Sequence, residues 1–165
     1  MSAEAVVTIG ILALVGILVG GYVWRRMPKG KQAELVVEAG EPFALRAAPA
    51  DGRIYKLWAR YDIAWTGTRH GYGLSFDLQA EVGGKVVLDR PLGLGARTLD
   101  DPGDYIDPLR MFVSSHRGPD GYSEKATVVV CDLGLRGAAS EIVVRGAIKP
   151  SKGTTVKGLS VFLAR

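Results

Sequence analysis

The stretch LSFDLQAEV, Leu74 to Val82, decides the fold class of this chain. Its apolar residues occupy every second position, and Ser, Asp, Gln and Glu alternate with them. Side chains two residues apart share one face of a strand. The alternation therefore predicts a half-buried antiparallel strand with one face on a core and one in solvent.

Gly83-Gly84-Lys85 follows this strand and leads into a second one over Val86 to Arg90. A two-residue Gly-Gly loop would pair Val82 with Lys85. A three-residue loop pairs Val82 with Val86 and keeps apolar residues opposite one another, with Ala80 opposite Leu88. Because register follows the buried face, the three-residue turn is expected.

Further runs with strand character lie on both sides of this hairpin. From Arg53 to Thr66 the apolar set includes Tyr61 and Trp65. Ala126 to Leu133 is apolar on both faces, which is typical of a central strand. The remaining predicted strands are 34–38, 43–48, 141–149 and 156–164. About eight short strands bounded by turn residues predict a mainly β fold, an antiparallel two-sheet sandwich of Ig-like or jelly-roll-like type. A small β-barrel is the alternative.

Residues 91–125 interrupt this pattern with four prolines and several aspartates and glycines. We interpret them as a long loop insertion. Asp107 and Pro108 suit the start of a helix, so one short helix through Val113 is expected inside it. A long connection of this kind is more often functional than a plain link.

The N-terminus carries a different signal. Ala5 to Trp24 is a run of twenty residues without a charge, eleven of them Val, Ile or Leu. Such a helix matches the roughly 30 Å hydrocarbon core of a bilayer. A cleaved signal peptide is the alternative, but it needs a basic start and a shorter apolar core. We therefore expect a retained transmembrane anchor at 1–24, a basic linker at 25–34 and the sandwich domain at 35–165.

Basic residues set the expected orientation of this anchor. They flank only its C-terminal end, at Arg25, Arg26, Lys29 and Lys31. Lys and Arg near a span stay on the cytoplasmic side, so the N-terminus is expected outside and the C-terminal domain in the cytosol. The alternative places that domain outside the cytoplasm.

The overall basic charge is largely this juxtamembrane cluster. Without those four cations and Glu4, seventeen Lys and Arg face sixteen Asp and Glu. A nearly neutral domain argues against nucleic acid as a partner. The bilayer and one or more membrane proteins are the expected partners. Gly16 and Gly20 form a GxxxG motif that allows close helix approach, so a homodimer through the helix is a further expectation beside a plain anchor.

The acidic run Asp100, Asp101, Asp104 and Asp107 is a candidate for a cation-binding loop. Clustered carboxylates suit calcium, but the spacing does not match an EF-hand, and Asp with Pro-Gly is also ordinary turn chemistry. His70, His116 and the single Cys131 show no zinc pattern. No catalytic residue, metal ligand or cofactor motif is predicted, and a hydrolytic site in 91–125 is the third-ranked function.

The strongest candidate for an interaction face is Lys56, Trp58 and Arg60, on the polar side of the predicted 53–66 strand. A tryptophan between two cations fits a binding hot spot or a ring-stacking ligand. The alternative is that the Lys and Arg stems, or the long insertion, cover the indole. The sequence thus predicts a membrane-anchored interaction or scaffolding module, with an extracytoplasmic carbohydrate or small-ligand binding module as the alternative.

Overall fold

The computed structural model of this protein describes residues 3–48, 55–68, 71–95, 104–105, 110–134 and 141–165. A single α-helix, α1 (Ala3–Arg26), opens the described chain. It ends just before Pro28, since proline disfavours helical geometry in the residue that precedes it. Among the described residues, no helix is long and apolar enough to cross a membrane. The predicted helix is present. Its membrane-spanning role stays a prediction.

The rest of the described chain is β structure. Its strands are β1 (Ala33–Val36), β2 (Pro42–Ala47), β3 (Lys56–Trp65), β4 (Gly73–Val82), β5 (Lys85–Gly95), β6 (Asp104–Tyr105), β7 (Arg110–Gly118), β8 (Gly121–Asp132), β9 (Ile142–Pro150) and β10 (Thr154–Ala164). All eight predicted strands are found, with shifted ends, and β6 and β7 are additional.

The strands form two five-stranded sheets. The first sheet has the order β1-β10-β3-β8-β7 and the second has the order β2-β9-β4-β5-β6. All pairings are antiparallel except the two-residue contact of β5 with β6. Four of the pairs are nested, β1 with β10, β2 with β9, β3 with β8 and β4 with β5. Two separate ladders favour the sandwich over the small barrel.

The core lies between the two sheets, where the apolar alternation places it. Inward residues of β3 meet inward residues of β4, and Leu57, Ile63 and Phe76 are fully buried. Val128 and Val130 on β8 are buried as well, as expected for a strand between β3 and β7.

The β4–β5 hairpin differs from the predicted register at its tip. Val82 pairs with Lys85, so the turn has two residues, and Gly83 and Gly84 both have positive φ. Two left-handed residues twist the turn in the same sense as the strands, which favours this loop. A bulge between Ala80 and Glu81 then restores the predicted pairing of Ala80 with Leu88.

The predicted loop over 91–125 is wrong for most of its described residues. The start of the segment completes β5, and its end forms the β7–β8 hairpin, closed by Gly118 opposite Gly121. The short helix through Val113 is also wrong, because Val113 lies in β7. The capping signal was outweighed because β8 begins five residues before its predicted start and offers a partner along β7.

Candidate functional site

The predicted interaction face lies on the outer face of the first sheet, but Trp58 is not open to solvent. The indole is only 1% exposed. It stacks on its cross-strand neighbour Phe162, with ring centroids 6.1 Å apart, and packs with Ala164, Met27 and Val129. The indole is therefore covered, as the alternative interpretation expected, and the covering groups include a β10 ring and the residue after α1. The role of Lys56, Trp58 and Arg60 as an interaction face stays a prediction.

The linker after α1 is docked on the sandwich by its backbone. Lys29 N donates to Arg165 O at 3.0 Å, and Arg165 N donates to Lys29 O at 2.8 Å. Gln32 N donates to Leu163 O at 2.9 Å. These bonds extend the β1–β10 ladder toward the helix. The residue that leaves α1, Met27, is thus held against Trp58.

Cations surround this outer cluster. The Lys31 ammonium lies 6.0 Å and the Arg60 guanidinium 5.5 Å from the Phe162 ring centroid, within cation–π range. Both also reach Glu34, Lys31 by a short hydrogen bond and Arg60 at 3.4 Å, and Ser160 donates to it at 3.4 Å. These contacts lower the pKa of the Glu34 carboxyl. The hydrogen bond from Lys31 is the largest cause, partial burial acts against it, and the charges of Lys31 and Arg60 add to it.

The Trp58 indole has one unusual feature. Its Nε1–H is buried and has no hydrogen-bond acceptor within the part of the chain that the structure describes. An unsatisfied buried donor costs about 1–3 kcal/mol. The indole therefore contributes to the cluster through ring stacking and apolar contact.

A polar network inside the sandwich was not predicted from the sequence. Glu124, 6% exposed, points inward from β8. Its Oε1 accepts hydrogen bonds from Tyr61 at 2.6 Å and from Tyr72 at 3.4 Å. One more ring adjoins it, since the ring centroids of Trp65 and Tyr72 lie 4.6 Å apart. The signal available in the sequence was a glutamate at an inward position of a strand that was predicted to start too late.

A cavity of about 260 Å³ opens on the outer face at this far end of the first sheet. Trp65 and Tyr122, whose rings stack 5.6 Å apart, are among its lining residues, and the Trp65 side chain itself is buried in the core. Its polar lining comes from three strands and the β7–β8 turn, and comprises His116, Asp120, Ser123, Thr155 and Lys157. Donors and acceptors are mixed, so the cavity suits a neutral polar molecule better than an ion.

The predicted cation loop lies mostly outside the described residues. Asp100, Asp101 and Asp107 are not described, and Asp104 is described only as a backbone position in β6, paired with Leu92. Over the described ranges, no three His, Cys, Asp or Glu side chains come together as metal ligands. The cation loop stays a prediction.

The other residues singled out in the sequence do not form a common site among the described residues. Gly16 and Gly20 lie on α1 with open space where a side chain would point. Arg25 is exposed in its last turn, and Arg26 is its final residue. His116 is exposed on β7, and His70 lies outside the described residues. Burial raises the pKa of the Cys131 thiol to about 12, with a smaller contribution from Asp132, which disfavours the reactive thiolate.

No protein-family model, no curated protein and no solved structure matches this chain.

Proposed function

We propose that this chain is a single-pass membrane-anchored β-sandwich that serves as an interaction or scaffolding module of a membrane complex. The observation that carries the proposal is the junction between α1 and the sandwich. Met27 packs on Trp58 directly after the helix, and Lys29 pairs with Arg165 two residues later. A domain that is docked this closely to its anchor presents its other surfaces in a fixed orientation.

The apolar surface of α1 supports the anchor. The helix is 24 residues long, about 36 Å at 1.5 Å per residue. Seven of its aliphatic side chains are between 50% and 72% exposed, namely Ile11, Leu12, Leu14, Val15, Ile17, Leu18 and Val19. Exposed aliphatic side chains in such number need an apolar surrounding, and a bilayer supplies it.

The flanking charges support the orientation. Cations follow the helix, with Lys29 placed 5.1 Å from the Trp24 ring centroid, and the region before it contains none. Tryptophan and lysine at the end of a span favour the headgroup layer. The proposed arrangement is an outer N-terminus and a cytosolic sandwich.

The strand order supports the jelly-roll variant of the sandwich. Pairing is nested from the outside in, β1 with β10 through β4 with β5. An Ig-like sandwich instead pairs its first two strands with each other.

The test of the anchor is retention of the full chain on vesicles of phosphatidylcholine at about 1 M salt, where charge interactions are screened to roughly 3 Å. We expect it to float with the vesicles. Loss at high salt would contradict the anchor. Orientation is tested by a C-terminal fusion to paired reporters, one active in the cytosol and one only after export. An exported C-terminus would contradict the cytosolic placement.

The interaction role is tested by photo-crosslinking in native membranes. Trp58→Ala is unsuitable, because removal of a buried tryptophan costs about 3–5 kcal/mol and threatens the fold. A photo-crosslinking residue at Asp120, on the turn at the far end of the first sheet, should trap a protein partner. The same residue at Asp77, exposed on the second sheet, is the control. Equal yields at both positions would contradict a defined partner surface.

A second function, binding of a carbohydrate or another neutral polar ligand, is favoured by the cavity beside Trp65 and Tyr122. The mixed hydrogen-bonding side chains of the cavity suit the hydroxyl groups of a sugar. If the sandwich is exported, a panel of saccharides should include one that raises the melting temperature of the full chain. A panel without effect on the parent would remove this candidate.

A further inference from the structure

The two outer faces of the sandwich differ in charge, although the whole domain is nearly neutral. Outward positions of the second sheet balance three cations against three carboxylates, namely Arg46, Arg145 and Lys149 against Asp77, Glu81 and Asp89. The outer face of the first sheet, with the docked linker, carries six cations and four carboxylates. These are Lys29, Lys31, Lys56, Arg60, Lys125 and Lys157 against Glu34, Asp62, Asp120 and Asp132. The excess positive charge is thus confined to one face of the described sandwich.

The cations of this face also reach farther out than its carboxylates. The side chains of Arg60 and Lys125 are 58% and 71% exposed, and those of Glu34 and Asp62 are 28% and 25% exposed. Glu34 is shared by Lys31 and Arg60, and Asp62 pairs with Lys125 at 2.8 Å. A flat anionic surface that approaches this face would meet the cations first.

The same face is tied to the end of α1. Met27 packs on Trp58, and Lys29 and Lys31 lie beside Trp24 and Phe162. If α1 lies in a bilayer, as proposed above, these contacts hold the outer face of the first sheet close to the headgroup layer, because only a few residues separate the contacts from the end of the helix. The opposite face belongs to the other sheet and points away.

We propose that the outer face of the first sheet lies on anionic phospholipid headgroups, with Lys31, Arg60 and Lys125 as the contacting cations. The proposal rests on the membrane anchor, and the charge asymmetry is its own evidence. The Trp58–Phe162 cluster then serves as the apolar junction that sets the angle between anchor and sandwich, which explains why a tryptophan lies between cations and yet is buried.

The experiment compares amine acylation of the full chain, read by mass spectrometry, in vesicles of phosphatidylcholine alone and in vesicles with one-third phosphatidylglycerol. Lys31 and Lys125 should be protected only in the anionic vesicles, and about 1 M salt should remove the protection. Lys149 on the second sheet is the internal control and should react equally in both. Equal reactivity of Lys31 in the two vesicle types, or equal protection of Lys149, would overturn the proposal.

Charge variants make the test specific. Each surface cation contributes about fivefold to attraction toward an anionic bilayer. Arg60→Gln with Lys125→Gln should therefore lower the protection of Lys31 several-fold, whereas Arg145→Gln with Lys149→Gln should leave it unchanged. Protection that survives the first pair would contradict the assigned face.

The anchor is read separately in the same samples. Failure of the chain to stay on neutral vesicles at high salt would reject the anchor. In that case, salt-sensitive retention on anionic vesicles, lost with Arg60→Gln and Lys125→Gln, would still support the face, and its absence would reject both.

Discussion

The Tyr61 hydroxyl donates a 2.6 Å hydrogen bond to Glu124 Oε1 in the interior of the sandwich, and Tyr72 donates to the same oxygen from the other sheet. Tyr61 lies on β3 of the first sheet, and Tyr72 directly precedes β4 of the second. One buried carboxylate therefore links the two layers by directional bonds, where most contacts between them are apolar.

Tyr61→Phe should lower the free energy of unfolding by about 1–3 kcal/mol, because it removes a hydrogen-bond donor from a buried carboxyl acceptor. Tyr72→Phe should have a smaller effect, since its hydrogen bond is longer, at 3.4 Å. Urea denaturation of the full chain in detergent measures both. A larger loss from Tyr72→Phe would show that the short contact does not dominate the network.

Gly121 at the start of β8 allows the β7–β8 hairpin to approach β3. Its φ is +134°, and a Cβ there would lie 2.3 Å from the carbonyl oxygen of Trp65. Gly121→Ala should therefore destabilise the sandwich by about 1–3 kcal/mol through backbone strain alone, and steric contact adds to this. Gly158→Ala, whose Cβ would meet only Asp62 at 3.8 Å, is the matched control. Similar melting temperatures for the two variants would contradict the close approach.

How much of the fold could be predicted depended on how far apart in the sequence the residues that determine each feature lie. Local patterns identified all eight predicted strands, by alternation in Leu74 to Val82 and by a continuous apolar run in Ala126 to Leu133, and alternation also gave the inward placement of Tyr61. The predicted three-residue turn of the β4–β5 hairpin was wrong, because two adjacent glycines with positive φ permit a two-residue turn. The prediction considered only which apolar residues would face each other, and a bulge restores that pairing. Strand β7 was missed because its partner, the first part of β8, was itself unrecognised.

The site was less predictable for a related reason. Trp58 was placed on the correct face of its strand, but its burial depends on Phe162 and Met27, more than a hundred residues apart in sequence. The neutral charge count likewise hid the segregation of cations onto one face, since composition carries no information on which sheet a residue joins.

Cys131 should resist alkylation in the folded protein. Burial raises the pKa of its thiol from 9.0 to about 12. The neutral thiol is favoured in the folded state, so this group's contribution to stability is complete below pH 9 and is lost as the pH rises toward 12. Iodoacetamide at pH 8.5 should modify the unfolded chain many times faster than the folded one. Equal rates would show that the thiol is accessible and its pKa unperturbed.

The GxxxG motif of α1 can be tested by substitution, because the structure shows open space around its glycines. Nothing lies within 4 Å of a Cβ built at Gly16, Gly20 or Gly21, so an isoleucine at any of them fits the single chain. Gly16→Ile with Gly20→Ile should lower the dimer fraction in mild detergent, because the bulk prevents the close backbone approach that such motifs allow. Gly21→Ile lies about 100° around the helix from Gly20 and should leave that fraction unchanged. Crosslinking at matched detergent concentration measures both, and an equal fraction in all variants would mean that α1 does not pair through this face.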